Sequence, residues 1–203
     1  MTLWLVRHAQ PLIALGTCYG VTDVAADVTA TQYAAKELAQ MLPQGLHGMC
    51  SPLQRCSQLA AELLLLRPDL TFTTDKRLSE MDFGCWEGVP WSAIKKTALD
   101  AWTADFTHHR FGGKQSVSEF MMQVASVWDA AQLSGQEMVW ITHAGVLRAC
   151  SLLQQGIRTV DRADQWPQHA PAFGEYMVLR SASKNGSLSP CNLMATPIMN
   201  HAM

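Results

Sequence analysis

Short apolar runs alternate along this chain with stretches of helical periodicity. Thr2 to Val6 is apolar and too brief for a helix, so it predicts a buried strand. Pro11, Gly16 and Gly20 punctuate the loop that follows. Thr29 to Met41 is rich in Ala, Glu, Lys, Leu and Gln and predicts a helix that stops before Pro43. Leu46 to Cys50 predicts a second strand. Ser51-Pro52 then reads as a helix start, with Ser as N-cap and Pro at the first helical position, and the helix runs to Leu66. Leu70 to Thr74 predicts a third strand. A weaker helix is expected over 91–102 and a stronger one over 116–133, where Ser116 and Glu119 have capping-box spacing. Met138 to Thr142 predicts a strand, Gly145 to Gln154 a helix and Glu175 to Arg180 a last strand.

Strands that alternate with helices imply an α/β fold, a three-layer α/β/α sandwich around a mostly parallel central sheet. The expectation is one domain over 1–203, with a helical cover region at 91–113. Beyond Ser181 the chain is rich in Ser, Asn, Gly and Pro, and 181–203 is expected to be a loosely held C-terminal tail.

Composition narrows the class. Of 203 residues, 48% are hydrophobic and 16% charged, the balance of a globular protein. The formal net charge of -2 gives no general attraction for nucleic acid, so an anionic ligand needs a local basic pocket. No apolar run is long enough to span a membrane, and the opening residues lack the basic-then-apolar order of a signal peptide, so no membrane partner and a cytoplasmic location are expected. The six cysteines form no CxxC pair and read as buried free thiols rather than as metal ligands or disulfides.

The candidate chemistry lies at strand ends, where open α/β sheets bind ligands. Leu3 to Val6 ends in Arg7-His8. Val139 to Thr142 ends in His143, with Gly145 and a helix directly after. A cation at one strand end, and a histidine with a helix start at another, would suit a phosphate. Arg55 could complete the pocket if the second strand neighbours the first, its guanidinium forking onto phosphate oxygens. Taken singly each residue has a bland structural reading; the combination changes the weighing.

In combination the residues resemble the histidine phosphatase superfamily, the phosphoglycerate mutase-like proteins. Leu5-Val6-Arg7-His8 is similar to L-V-R-H-G, with Ala9 for Gly. Ser51-Pro52-Leu53-Gln54-Arg55-Cys56 is similar to S-x-L-x-R-[AC]. Leu78 to Gly88 resembles L-x-E-x-x-F-G-x-W-E-G, and Thr142 to Arg148 resembles T-H-x-G-x-x-R. A weaker match is Gly112-Gly113-Lys114-Gln115-Ser116, where Gln115 replaces the usual Glu of G-G-E-S. Val24 to Thr29 departs from the usual P-L-T-x-x-G. Ala9 should be tolerated only if its φ is negative.

The resemblance implies a role for each matched residue. His8 would be the nucleophile, Arg7, Arg55 and His143 would hold the phosphoryl oxygens, and Glu80 would be the proton donor. Glu87 is the rival acid. Trp86 could line the pocket or simply pack, Tyr19 and Gly20 lie where relatives build substrate contacts, and Arg148, past the first turn of its helix, reads as structural. The implied activity is that of a metal-independent, cofactor-free phosphomonoesterase with a small phosphorylated substrate; α-ribazole 5′-phosphate of cobalamin synthesis is one candidate. A mutase-type phosphotransferase, a protein phosphohistidine phosphatase and a non-catalytic phosphate-binding protein are the alternatives.

Overall fold

The computed structural model describes residues 1–180, so the expected tail at 181–203, with Cys191, lies outside the described residues. Five strands form one sheet. They are β1 (Thr2–Arg7), β2 (His47–Cys50), β3 (Thr71–Thr74), β4 (Met138–Thr142) and β5 (Tyr176–Arg180), in the order β3-β2-β4-β1-β5. All neighbours are parallel except β5, which runs antiparallel to β1. The α-helices among the described residues are α1 (Val28–Met41), α2 (Gln54–Leu66), α3 (Lys96–Ala104), α4 (Val117–Ser134) and α5 (Ala144–Gln154).

The two-residue period of the strands sorts the core onto the two faces of the sheet. Leu3, Leu5, Met138 and Trp140 face α4 and α5, against Phe120, Val124, Val146 and Leu147. Val6, Val139, Ile141 and Cys50 face α1 and α2, against Ala35, Leu38, Leu59 and Leu63. Every residue of β4 is buried, which is why its sequence carries no alternation. This is the α/β sandwich that the alternation of elements implies.

Three details differ from the sequence expectation. The first is the start of α2, which is not capped by Ser51. Leu53 holds the N-cap position without a side-chain bond, and the orphan N–H of Gln54 donates instead to Asp23 Oδ1 at 2.7 Å. The expected helix over 91–102 is in fact a 3-10 turn at Trp91–Ala93 followed by α3. Between them Ile94 and Lys95 are extended, and Ile94 turns inward to pack with Cys18 and Phe111. The third concerns neighbours: β4 separates β2 from β1, so the second strand does not lie beside the first.

The capping box of α4 forms as its spacing predicts, with Glu119 N–H donating to Ser116 Oγ at 3.2 Å and Ser116 N–H to Glu119 Oε2 at 2.9 Å. α1 starts on Asp27, whose Oδ1 accepts from Ala30 N–H at 2.8 Å, so the departure at Val24 to Thr29 still leaves a capped helix. Ala9 is buried, and no non-glycine residue among those described has a positive φ, so its methyl is accommodated without backbone strain.

Candidate active site

Register places the chemistry. Arg7 is paired with Thr142 across β1 and β4, and His8 N–H donates to Thr142 O at 3.0 Å. The residues that follow, His8 and His143, therefore leave the sheet side by side, with ring centroids 5.2 Å apart. Cys50 pairs with Ile141, and Ser51 N–H donates to Ile141 O at 3.0 Å, so the segment leading into α2 departs from the same edge. Arg55 thus reaches the site past β4.

His8 is buried, and its Nδ1 donates to Ala9 O at 2.7 Å. That bond fixes the tautomer and leaves Nε2 as the nitrogen with a free lone pair. Burial, with the Arg55 and then the Arg7 guanidinium, pushes the imidazole pKa down to about 3, against a smaller upward pull from the Ala9 carbonyl. His8 is accordingly neutral over the whole ordinary pH range. His143 is neutral too: burial first, then Arg55, His8 and Arg7, hold it well below the usual imidazole value. Its Nε2 lies 2.8 Å from Ser51 Oγ and 3.5 Å from Cys56 Sγ. Ser51 is thus spent on orienting His143, which its appearance as an N-cap hid.

Two guanidinium groups flank His8. Arg55 is fully buried. Its Nη1 donates to Thr22 O at 2.8 Å and its Nη2 to Gly20 O at 2.5 Å, while its Cζ stands 5.3 Å from the Tyr19 ring centroid. Arg7 donates from Nη1 to Pro171 O at 3.0 Å and lies over the Phe173 ring, Cζ 3.8 Å from the centroid. Burial pulls the Arg7 pKa down, opposed by Tyr19 and Glu80. Nε of both arginines is buried with no partner among the described residues. Buried donors of this kind are costly unless an acceptor reaches them.

The two carboxylates of the third motif have separate jobs. Glu80 accepts from Gly145 N–H at 2.9 Å and from Met81 N–H at 3.1 Å, which sets it at the start of α5 next to His143. A Cβ on Gly145 would lie 2.1 Å from Glu80 Oε1, so glycine is what lets the carboxylate approach. Glu87 instead anchors a loop. It accepts from Gly20 N–H at 2.9 Å, Val21 N–H at 3.2 Å, Thr22 N–H at 3.1 Å and Phe83 N–H at 2.9 Å, and from the Thr22 hydroxyl. Burial raises its pKa, but these bonds together outweigh that and leave it lowered. Its lone pairs are committed, and through Gly20 and Thr22 it positions the carbonyls that hold Arg55.

Gly20 is likewise committed through both backbone groups, and a Cβ there would meet Met81 O at 1.8 Å. Tyr19 stands beside Arg7 and Arg55. Trp86 packs on Phe111, ring centroids 5.8 Å apart, away from the cavity beside Glu80. That cavity, of about 470 Å³, is lined by Glu80, Phe83, Trp91, Trp102, Trp166 and Arg148, among others. Arg148, expected to be structural, is thus on its wall. The missed signal was spacing: Arg148 lies three residues after Gly145, on the same helical face. Gln115, in place of the usual Glu, accepts from Asp82 N–H at 3.0 Å and so keeps an acceptor under the Glu80 segment.

The sequence profile of the histidine phosphatase superfamily, branch 1, matches residues 3–172. The chain belongs to that family. Among solved structures it is similar to TTHB049 of Thermus thermophilus, at 26% identity and TM-score 0.67, over 88% of this chain and 93% of that one. It also shares the fold of a mycobacterial glucosyl-3-phosphoglycerate phosphatase, at 21% identity and TM-score 0.72, over 88% and 89% of the two chains. The alpha-ribazole phosphatase of Shigella flexneri is similar at 21% identity and TM-score 0.71, over 88% and 89%. No curated protein matches the chain.

Proposed function

We propose that this protein is a phosphomonoesterase that works through a phosphohistidine on His8 Nε2 and acts on a small phosphorylated metabolite. The observation that carries the reading is the surroundings of His8. A neutral imidazole with its tautomer fixed stands beside two arginines, Arg55 fully buried and Arg7 half-buried, each with an unpartnered buried Nε–H. In the first step the Nε2 lone pair forms a bond to phosphorus and the P–O bond to the leaving group breaks, while Glu80 gives that oxygen its proton. In the second, Glu80 takes a proton from water as the water oxygen attacks phosphorus and the N–P bond breaks, which returns both groups to their starting states. Arg7, Arg55 and His143 supply the donors for the equatorial oxygens. The Ala9 carbonyl, on Nδ1–H, stabilises the imidazole as it becomes cationic.

α-Ribazole 5′-phosphate, an intermediate of cobalamin synthesis, is the candidate substrate, supported by the aromatic cavity beside Glu80 and the shared fold of the Shigella enzyme. The reading includes a cytoplasmic protein without nucleic-acid or membrane partners. Its support is the net charge of -2 and the lack, among the described residues, of a helix long and apolar enough to cross a membrane.

The test is phosphate release in EDTA from α-ribazole 5′-phosphate, a sugar phosphate, a nucleoside monophosphate, 3-phosphoglycerate and a phosphohistidine peptide. Turnover of α-ribazole 5′-phosphate at least tenfold above the others is expected, and His8→Ala should abolish it. Near wild-type turnover by His8→Ala would overturn the mechanism; preference for another member of the panel would reassign the substrate.

A further inference from the structure

The cavity beside Glu80 lies where the leaving group of that reaction must sit, because Glu80 is the group that reaches the ester oxygen. Its wall is aromatic: Phe83, Trp91, Trp102, Phe106, Phe120 and Trp166. Trp102 and Phe111 stack behind it, centroids 4.4 Å apart, and Trp91 and Phe111 stack at 6.0 Å. A cavity of about 470 Å³ with such walls fits a planar ring better than a sugar or a short acid.

Its ionic groups are Glu80 and Arg148. Arg148 donates from Nη2 to Gln168 O at 3.0 Å. Its Nε is buried with no partner, and none of the carboxylates among the described residues forms an ion pair with it. It is also near enough to Arg7 to lower that arginine's pKa by repulsion. Trp102 adds a second orphan, a buried indole N–H without a partner. A cation near another cation, on a largely aromatic wall and with its buried Nε donor unfilled, gains from a further acceptor placed against it.

Resting on the phosphatase reading, we propose that Arg148 is a specificity-determining residue: it selects an aromatic leaving group that carries a hydrogen-bond acceptor, a carboxylate oxygen or a ring nitrogen, on the side remote from the phosphoester. Arg148 does not take part in the chemistry at phosphorus.

The test compares benzyl phosphate, para-carboxybenzyl phosphate and pyridylmethyl phosphate, in which a methylene insulates the leaving oxygen from the ring substituent. The wild type is expected to show kcat/KM at least tenfold higher for one acceptor-bearing ester than for benzyl phosphate. Which ester gains separates a carboxylate from a ring nitrogen. In Arg148→Met the ratio should fall to near one. Equal kcat/KM for all three esters in the wild type, or a preference that survives in Arg148→Met, would overturn the proposal. A binding measurement separates it from the mechanism. In His8→Ala, para-(hydroxymethyl)benzoate or pyridylmethanol should quench tryptophan fluorescence saturably, and His8→Ala/Arg148→Met should bind the same compound at least tenfold more weakly. Binding unchanged by the second substitution would refute the role of Arg148 even if turnover follows the proposed steps. Loss of turnover on every ester, with Arg148-dependent binding intact, would instead refute the phosphatase reading.

Discussion

At the scale of single residues, the site depends on groups whose work is to hold other groups. Glu87 is the clearest. Replacing it by Gln keeps the size but turns a donor toward a cluster of backbone N–H groups. The expected cost is about 2–4 kcal/mol in chemical denaturation. KM should rise more than kcat falls, since the Gly20 and Thr22 carbonyls that steady Arg55 would loosen. Ser51→Ala removes the partner of His143 Nε2 and leaves a buried polar atom unmet, so a loss of about 1–3 kcal/mol is expected, together with a fall in kcat. His8, His143, Arg7, Arg55 and Glu80 could be singled out because histidine and arginine at the ends of apolar strands stand out, and because the motifs they sit in resemble a family. The tasks of Ser51 and Glu87 are not legible in the same way. Ser-Pro before a helical stretch looks like a cap, and a carboxylate in a loop shows nothing in sequence of how many N–H groups will converge on it.

At the scale of elements, α5 is shaped by its second residue. Gly145→Ala would improve helix propensity by up to about 1 kcal/mol while its Cβ pushes the Glu80 carboxylate aside. Because the far end of a flexible side chain yields, the fold should survive. Tm is expected to stay level or rise, while kcat on alkyl phosphates falls about ten- to a hundredfold and para-nitrophenyl phosphate is much less affected. α4 offers a plain contrast: Ser116→Ala should cost about 1 kcal/mol in denaturation and leave kinetics alone. Strands and long helices were legible from periodicity. The start of α2 was not, because its cap comes from Asp23, far away in sequence. Nor was the break at Ile94 and Lys95, which follows from burial of one side chain in a cluster formed by distant residues.

At the scale of the molecule, two buried neutral histidines tie folding to pH. Both have folded pKa values below the unfolded value of about 6.5. The unfolded chain therefore binds more protons below that pH. Their contribution is present in full above about 6.5 and is lost as pH falls toward the folded value, about 3 for His8. Each can remove up to about 1.4 kcal/mol per pH unit in that window. Denaturation midpoints measured from pH 7 to pH 4 should fall accordingly, and more shallowly in His8→Gln. The order of the strands has a further consequence. His8 follows β1, the first strand described, yet that strand is flanked on one side by β5, the last strand described. Gly174 N–H donates to the carbonyls of Arg7 and His8, Phe173 carries the Arg7 guanidinium, and Pro171 O accepts its hydrogen bond. A nascent chain halted before residue 171 would hold both histidines and both arginines and still lack the clasp that sets them. The setting of Arg7 and His8 is thus completed only once residues 171–180 have been made and have joined β1.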